Sequence, residues 1–136
     1  MAKMMNAETL LQNLQHFCGT EQYYKHFLGI RYTDGVKYLA ENAQCYWLID
    51  AIASHQPIVN RIQRLREIQI WFLHVGNNHE FIKPASNHCA VLTCWEDSPQ
   101  AETKPVVRQD ILFTDFPLAE IKLYVQETVL MLPDEN

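Results

Sequence analysis

The most apolar stretch of the sequence runs from Cys45 to Ser54 and reads Cys-Tyr-Trp-Leu-Ile-Asp-Ala-Ile-Ala-Ser. At the angular spacing of an α-helix, four of its side chains fall on one stripe: Cys45, Leu48, Ile49 and Ile52. Such a stripe is typical of a helix that faces a protein core. Because a helix this apolar is covered on most sides in folded proteins, we predict that it packs against a sheet at the centre of the core.

A second apolar stripe precedes the first, formed by Val36, Leu39, Ala40 and Ala43. If one unbroken helix carried both stripes, they would lie on opposite sides of it. Either the helix is covered on two sides, or it breaks. We favour a break near residues 41–42, with Asn42 as the cap of the second helix, since asparagine is a preferred N-cap residue.

Two further patterns precede these helices. Asn6 is placed to cap a first helix, and Gly19 is placed to end it in the left-handed conformation. From Tyr23 to Tyr32 the pattern changes to period two, which favours strands, and Gly29 marks either a bulge or a bend between two short ones.

The second half of the chain reads as strands. Inward and outward positions alternate clearly in residues 106–113, where we expect Phe113 to face the core and Arg108 to face solvent. The last hairpin crosses residues 126–128 and lacks the favoured Asn-Gly turn. The predicted strand segments are 68–75, 88–95, 106–113, 121–125 and 129–132.

Helices followed by sequential strands predict an α+β fold. We expect one globular domain over residues 1–136, with an antiparallel sheet of about 5–6 strands and the helices of the N-terminal half on one face, because the late connections are too short for parallel crossovers. Residues 1–5 and 133–136 are expected to be disordered.

Composition limits the possible settings of the protein. No apolar run approaches the roughly 18 residues that a membrane span needs, so we expect no membrane partner. The N-terminus lacks an apolar signal core, and the 4 cysteines lie within apolar periodic segments, as buried thiols do. Both features favour a reducing cytoplasm.

Charge is unevenly distributed along the chain. Residues 1–95 contain 8 Lys or Arg and 7 Asp or Glu, whereas residues 96–136 contain 3 and 9, within an overall net charge of −5. Because nucleic-acid binding depends on basic side chains that neutralise phosphates, this acidic third makes a nucleic-acid partner improbable.

The motifs of several enzyme classes are missing from the sequence. It has no glycine-rich phosphate loop, no Gly-x-Ser-x-Gly, no His-Glu-x-x-His and no Cys-x-x-Cys. We therefore predict no cofactor. Between residues 74 and 94, several side chains are of types that bind metal ions: His74, His79, His88, Cys89 and Cys94.

Their spacing argues against a shared ion. Cys89 and Cys94 point to opposite faces of a strand unless a bulge intervenes. Six residues separate His88 from Cys94 by roughly 20 Å along the strand. We therefore predict buried thiols and surface histidines, with His74, His88 and Cys94 as the candidate ligands if a metal does bind.

Two other sets are candidates for function. Glu96 and Asp97 at a strand end, with Asp110 on the next strand, form a candidate acid/base or cation cluster, although such acids are commonly just solvated. The second set is a candidate ligand or partner face on the back of the apolar helix, and it comprises Trp47, Asp50 and Ser54.

Asp50 lies within the most apolar segment and must be exposed, paired or protonated. In the simpler interpretation, Trp47 packs under a loop and Asp50 pairs locally, with one of three nearby arginines as a candidate partner: Arg61, Arg64 and Arg66. In the other, this side of the helix binds a ligand or a partner.

Several short segments, in this order along the chain, are the basis of a resemblance to a known protein family. They are 17–24 (Phe-Cys-Gly-Thr-Glu-Gln-Tyr-Tyr), 32–36 (Tyr-Thr-Asp-Gly-Val), 46–50 (Tyr-Trp-Leu-Ile-Asp), 69–71 (Gln-Ile-Trp), 108–111 (Arg-Gln-Asp-Ile) and 114–118 (Thr-Asp-Phe-Pro-Leu). Over roughly residues 10 to 132 the chain resembles a family of small uncharacterised bacterial proteins classed as a domain of unknown function. The resemblance implies a compact bacterial cytoplasmic protein and an Asn-Gly-like turn in the last hairpin, where this chain has Glu127-Thr128. It implies no reaction and no site residues.

An aromatic-rich chain without a catalytic constellation favours a non-enzymatic binding or protein-interaction module, which includes self-association as a homo-oligomer. The alternative is a small enzyme that uses the carboxylates of Glu96, Asp97 and Asp110, with or without a metal.

Overall fold

The computed structural model describes residues 5–19 and 22–135. Its helices are three of two or more turns and one of a single turn: α1 Ala7–Leu14, α2 Asp34–Asn42, α3 Tyr46–Ser54 and the single turn α4 Gln56–Val59. Two 3-10 turns are Gln63–Leu65 and Pro133–Glu135. The strands are β1 Tyr23–Lys25, β2 Arg31–Thr33, β3 Ile68–Val75, β4 Ala90–Trp95, β5 Val107–Ile111, β6 Glu120–Gln126 and β7 Val129–Met131.

All seven described strands form one open sheet in the order β1-β2-β7-β6-β3-β4-β5. The α+β class is confirmed, but the predicted 5–6 strands were too few. The predicted antiparallel pairing holds for every described pair except β2 with β7, which is parallel. Most connections between the late strands are too short for parallel crossovers, whereas most of the chain lies between β2 and β7 and is long enough for one.

The helices cover one face of the sheet. Residues on that face join the helices in the main core: Trp71, Leu73, Leu92, Leu123 and Val125. On the opposite face a smaller cluster of Ile82, Val91 and Trp95 is buried, with Phe81 packed against it. The segment after β3 therefore covers part of the second face.

The break between the two apolar stripes is confirmed. α2 ends at Asn42, α3 begins at Tyr46, and Gln44 between them has a φ of 51°. The core stripe is also confirmed, since all four of its side chains are buried: Cys45, Leu48, Ile49 and Ile52. The predicted cap is wrong: the side chain of Asn42 donates to the carbonyl of Tyr38 at 2.8 Å, which ends α2 instead of starting α3.

The first helix begins as predicted and ends early. Asn6 caps it by accepting a hydrogen bond from the N–H of Thr9 at 2.9 Å. The helix stops at Leu14, five residues before Gly19, because the chain continues in tighter turns, with the N–H of Phe17 donating to the carbonyl of Leu14 at 3.3 Å. Gly19 therefore does not cap it.

Turn chemistry sets the two hairpins at this side of the sheet. Gly29 has a φ of 106° between β1 and β2, which confirms the predicted bend. Between β6 and β7, Glu127 and Thr128 have φ values of 50° and 67°. Positive φ at both central residues is the pattern of a type I′ turn, so this chain makes with Glu-Thr the turn for which Asn-Gly is favoured.

A buried amide pair ties the helices to the centre of the sheet. The side chains of Gln56 and Gln69 bond each other twice, at 2.9 and 2.8 Å, and Trp71 Nε1 donates to Gln69 Oε1 at 2.9 Å. Gln56 Nε2 also donates to the carbonyl of Ile52 at 3.1 Å. Because these buried groups are all satisfied within the protein, the contact fixes how α4 meets β3.

The C-terminal residues are folded against α2. Residues 133–135, which the sequence predicts to be disordered, form a 3-10 turn in which Glu135 is buried. Its carboxylate accepts hydrogen bonds from Thr33 Oγ1 at 2.6 Å and from the N–H groups of Gly35 and Leu132 at 3.1 and 3.0 Å. This anion lies at the N-terminus of α2, where the helix dipole favours it. Of the other residues predicted to be disordered, Met5 bonds the carbonyl of Asn42, and 1–4 and 136 lie outside the described residues.

The strand β5 is shorter than the predicted segment 106–113. β5 ends at Ile111, and Phe113, predicted to face the core, is 78% exposed. The alternation that placed Phe113 inward assumes a strand that continues, whereas the chain bends at Leu112.

Candidate functional site

The turn between β1 and β2 is a closed loop that exposes large apolar side chains at its tip. The N–H of His26 donates to the carbonyl of Ile30 at 2.8 Å, and the N–H of Gly29 donates to the carbonyl of His26 at 3.0 Å. These bonds close a short loop whose tip is Phe27 and Leu28, and Phe27 is 83% exposed. Large apolar side chains presented on a closed loop are candidates for contact with a partner.

This loop is fixed to α3 through a buried histidine. The N–H of Leu28 donates to His26 Nδ1 at 3.1 Å, which places the ring proton on Nε2, and Nε2 donates to Asp50 Oδ1 at 2.6 Å. Both nitrogens of His26 are thus engaged, and its ring stacks on Phe27 with centroids 4.5 Å apart. His26 therefore positions the loop through contacts on both of its ring nitrogens.

A chain of contacts links α3 to the edge of the sheet. Tyr46 lies one turn before Asp50 on α3, and its hydroxyl donates to Glu41 Oε1 at 3.2 Å. Glu41 in turn lies 3.8 Å from the Nζ of Lys37, which stands 4.3 Å from the ring centroid of Tyr24. These contacts make the loop, the two helices and β1 one continuous surface.

The surface ends in a pair of tyrosines on β1 and β2. The rings of Tyr24 and Tyr32 stack at 5.6 Å, and the hydroxyl of Tyr24 donates to Asp34 Oδ1 at 3.0 Å. We call this the tyrosine surface, and its aromatic and aliphatic members are Tyr24, Phe27, Leu28, Tyr32 and Tyr46.

Acidic neighbours keep the phenols protonated. The hydrogen bond to Asp34 raises the pKa of Tyr24, with burial adding to it. Burial first, and then the charge of Glu41, raise the pKa of Tyr46 to about 12. Each hydroxyl is therefore a donor to a carboxylate at neutral pH, which leaves the rings to make apolar contacts.

Of the predicted helix-back residues, Asp50 belongs to this surface. It is 59% exposed and paired, but with His26 from a distant hairpin and with none of the three arginines proposed as its partner. Trp47 packs, half-buried, against the main core, and the hydroxyl of Ser54 donates to the carbonyl of Ala51 at 2.7 Å.

The predicted acidic cluster is spread over two places. Asp110 pairs in register with Val91, so it lies about 16 Å along β4 from Glu96, at roughly 3.3 Å per residue. Glu96 lies 3.5 Å from Arg64, and Asp97 accepts from the N–H of Ser98 at 2.8 Å. Glu96 and Asp97 line a cavity of about 370 Å³, and Asp110 is not among the residues that line it.

Asp110 is held by its own strand and the preceding loop. It bonds Arg108 at 2.9 and 3.2 Å and accepts from the N–H of Ala85 at 2.9 Å. Burial alone would raise the pKa of Asp110, but these hydrogen bonds outweigh it and keep the pKa below its usual value. Asp110 is therefore an ionised, structurally engaged carboxylate at neutral pH.

The candidate metal ligands do not converge. His74 lies on the sheet face opposite the helices, whereas Cys94 is buried in the main core on the helix face, and His88 Nδ1 approaches the carbonyl of Ser86 at 2.9 Å. Burial raises the pKa of Cys94 to about 12, so it stays a thiol at neutral pH. Within residues 5–19 and 22–135, no three His, Cys, Asp or Glu side chains are arranged to hold a metal ion.

The contact between His74 and His79 at the end of β3 was not predicted, and the burial of His74 corrects the expectation of surface histidines. His74 is 4% exposed, its Nδ1 has no hydrogen-bond partner among the described residues, and its Nε2 lies 2.9 Å from Glu120 Oε2 without the alignment of a hydrogen bond. The ring of His79 makes an edge contact at 4.7 Å. Burial lowers the pKa of His74, Glu120 opposes this, and His79 adds to the lowering.

The sequence carried a partial signal for the contact of Asp50 with His26 and none for the contact of Glu120 with His74. The requirement that Asp50 be paired or exposed was visible, but its partner lies 24 residues earlier in a separate hairpin. Glu120 begins a strand and is ordinary there, so nothing local marks it as the partner of His74.

Fold and surface together define an α+β domain with an open, mostly antiparallel seven-stranded sheet and an aromatic, acid-lined surface at one edge. The family model of DUF6876, described as a family of unknown function, matches residues 8–136, and the chain belongs to this family. The family resemblance of the sequence is thereby confirmed. Comparison with curated proteins and with solved structures gave no match. None of the helices in the described residues has both the length and the apolar character needed to cross a membrane.

Proposed function

We propose that the protein is a small binding module that recognises a segment of another protein in which an apolar side chain stands next to a basic one. The observation that carries the proposal is the exposed Phe27-Leu28 tip, held on a loop whose buried histidine is bonded through both ring nitrogens.

Rigid presentation supports a role in binding. A loop fixed by the His26–Asp50 contact loses little conformational freedom when a partner binds, so less of the interaction free energy is spent on ordering it. Tyrosine rings add large contact areas with few rotatable bonds, which is why they are common in binding surfaces.

The charges around the tyrosine surface support a basic partner. Three carboxylates, Asp34, Glu41 and Asp50, and one ammonium, Lys37, contact its side chains or the histidine that supports it. Lys25 and Arg31 alternate with the tyrosines and point to the other face of β1 and β2. A lysine or arginine of the partner would find complementary charge on the tyrosine surface, which raises association rates and disfavours acidic partners.

The enzyme alternative has less support. It relies on Glu96, Asp97 and Asp110 acting together, and the third of these lies far along the sheet from the first. Both ring nitrogens of the histidine at the tyrosine surface are engaged in contacts that position the loop. A broad hydrolase screen in which turnover is lost on Glu96→Gln would favour the enzyme over the binding module.

Matched peptide libraries test the binding proposal. One library of fluorescent heptapeptides carries two apolar and two basic positions, and the other replaces each basic residue with glutamate. We expect the basic library alone to bind, more weakly as salt is added, with amide chemical-shift changes confined to residues 24–28, 32 and 46–50.

Two exposed phenylalanines at opposite edges of the sheet provide the matched variants. Phe27→Ser is expected to weaken peptide binding at least about tenfold, and Asp50→Asn to weaken it less. Phe113→Ser removes a similarly exposed ring from the other edge and should leave binding unchanged. If neither library binds, if both bind equally, or if Phe27→Ser has no effect, the proposal is wrong.

We also propose that this module works in the bacterial cytoplasm. All four cysteines are free, and a reducing compartment keeps thiols in that state. Fractionation of the native cells, with detection of the protein in the periplasmic or secreted fraction, would contradict this placement.

A further inference from the structure

The outer strand at the other edge of the sheet has an unusual exposed end. β5 pairs with β4 on one side only, and it leads directly into Leu112 and Phe113, which are 68% and 78% exposed. Exposed edge strands are normally shortened, interrupted by proline or covered, because they invite pairing with another chain. β1 follows this rule with three residues, whereas β5 has five and no internal proline.

We propose that β5 pairs with β5 of a second copy of this chain, antiparallel and with the two-fold axis at Gln109, to form a symmetric dimer with one continuous sheet. In this register Arg108 of each copy lies opposite Asp110 of the other. The charges of the strand are therefore complementary to themselves.

Charge selects this register over its neighbours. A shift that keeps side chains on the same faces moves the axis by one residue. Centring on Arg108 would place arginine opposite arginine, and centring on Asp110 would place aspartate opposite aspartate. Directly opposed like charges destabilise a strand pair, so Gln109 is the favoured centre.

Both charged side chains are already oriented for this pairing. Arg108 Nη2 donates to the carbonyl of Lys83 at 2.7 Å and to Asp110 Oδ1 at 2.9 Å. These bonds hold the two side chains on the sheet face opposite the helices, where the paired strands would bring them together. Nη1 of Arg108 has no partner among the described residues and is free to reach a carboxylate of the second copy.

The same register gives the exposed apolar residues a partner. Val107 lies opposite Ile111 of the second copy. Because the chain bends at Leu112, Leu112 and Phe113 lie just beyond this end of the strand pair, beside the residues that precede Val107 in the second copy. Leu112 and Phe113, which are exposed in the monomer, would pack against the second copy. The two-fold axis repeats this contact at the other end of the strand pair.

Charge reversal tests the register. The molecular mass of the wild-type chain, measured by light scattering and by sedimentation equilibrium between about 1 and 500 μM, is expected to rise to twice 15.9 kDa. Arg108→Asp alone and Asp110→Arg alone should each weaken dimerisation at least about tenfold, because each brings like charges together.

Complementation makes the test specific to this interface. An equimolar mixture of the R108D and D110R variants should form heterodimers, since every opposed pair is then complementary, and the R108D/D110R double variant should again form homodimers. Phe113→Ser, on an exposed side chain that the fold does not need, should weaken the dimer, and Phe27→Ser should not.

A monomer throughout the concentration range would overturn the proposal, as would a dimer that R108D and F113S leave intact. Because the peptide assay uses Phe27→Ser and the dimer assay uses charge reversal on β5, failure of either proposal leaves the other standing.

Discussion

The two edges of the sheet are stabilised by different chemistry. At the β1–β2 edge, strands of three residues are held by polar side chains from distant parts of the sequence, Glu135 on Thr33 and Asp50 on His26. At the β5 edge, a longer strand is held by its neighbour β4 and by the adjacent loop through Arg108 and Asp110.

We infer from this difference that the two edges make different kinds of contact. In the proposals above, the first edge presents side chains to a segment of another protein. The second edge pairs its longer strand, which carries self-complementary charges, with an identical strand.

The largest expected effect is at the first edge, from Glu135→Ala. The substitution leaves the N–H groups of Gly35 and Leu132 without their acceptor and removes an anion from the start of α2. We expect a loss of about 2–4 kcal/mol in the free energy of unfolding, measured in urea.

Asp134→Ala is the matched control, because it removes an exposed carboxylate one residue away and should change stability by less than about 0.5 kcal/mol. Equal effects of the two substitutions would mean that the edge is not held by Glu135, and the contrast between the edges would then fail.

A smaller effect is expected between the edges, at His74. Because its folded-state pKa is lowered, the unfolded chain takes up the proton first, and stability falls as pH drops below about 6.5 toward the folded-state pKa. His74→Leu should abolish that part of the acid loss and, by removing an unsatisfied buried nitrogen, add about 1–3 kcal/mol at low pH.

Glu120→Gln provides the opposite control for the pH dependence. Since the Glu120 carboxylate raises the pKa of His74, its neutralisation should deepen the loss of stability in acid. Urea unfolding at pH 5 and pH 7 measures both variants, and identical pH slopes in all three proteins would show that His74 does not titrate in this range.

Next in size is the hairpin that carries the first edge, since the N–H of Arg31 on β2 bonds the carbonyl of Thr128 at 3.0 Å. The left-handed conformation costs ordinary residues about 1–2 kcal/mol each. The double substitution Glu127→Asn with Thr128→Gly should therefore stabilise the fold by about 1 kcal/mol, after the entropy cost of glycine.

Another Glu-Thr pair lies in a loop at 102–103, and neither residue is among those with positive φ. Glu102→Asn with Thr103→Gly is thus the same chemical change without the conformational reason, and it should not stabilise the protein. Equal gains at both places in thermal unfolding would contradict the strain at 127–128.

Local patterns predicted the elements that depend on local forces. The eight residues of β3 are apolar on both faces, so their strand was predictable to its exact bounds, and the phase difference between the stripes located the break before α3. Gly29 marked the turn of the first hairpin, because the positive φ that the turn requires there favours glycine.

The features that the sequence did not reveal join residues far apart in the chain. The parallel pairing of β2 with β7, the contact of Glu135 with Thr33 and that of His26 with Asp50 have no local pattern. Three-residue strands carry too few side chains to specify which strand they pair with, and a carboxylate near the end of a chain is indistinguishable from a solvated one. The tyrosine surface, which these contacts assemble, was therefore beyond sequence reasoning except for Asp50.

The smallest expected effect is at the second edge, from Asp110→Asn. Since the folded-state pKa of Asp110 is lowered, its contribution to stability is present above about pH 3.9 and is lost as pH falls through the folded-state pKa. At neutral pH we expect a loss of less than about 1 kcal/mol, because the side chain is 24% exposed and screened.

Amide hydrogen exchange resolves so small a change. The N–H of Ala85, which donates to Asp110, should exchange faster in the variant, while that of Gly35 at the opposite edge should not. Faster exchange at both amides would mean that the two edges unfold together, and that the difference in their chemistry does not make them independent.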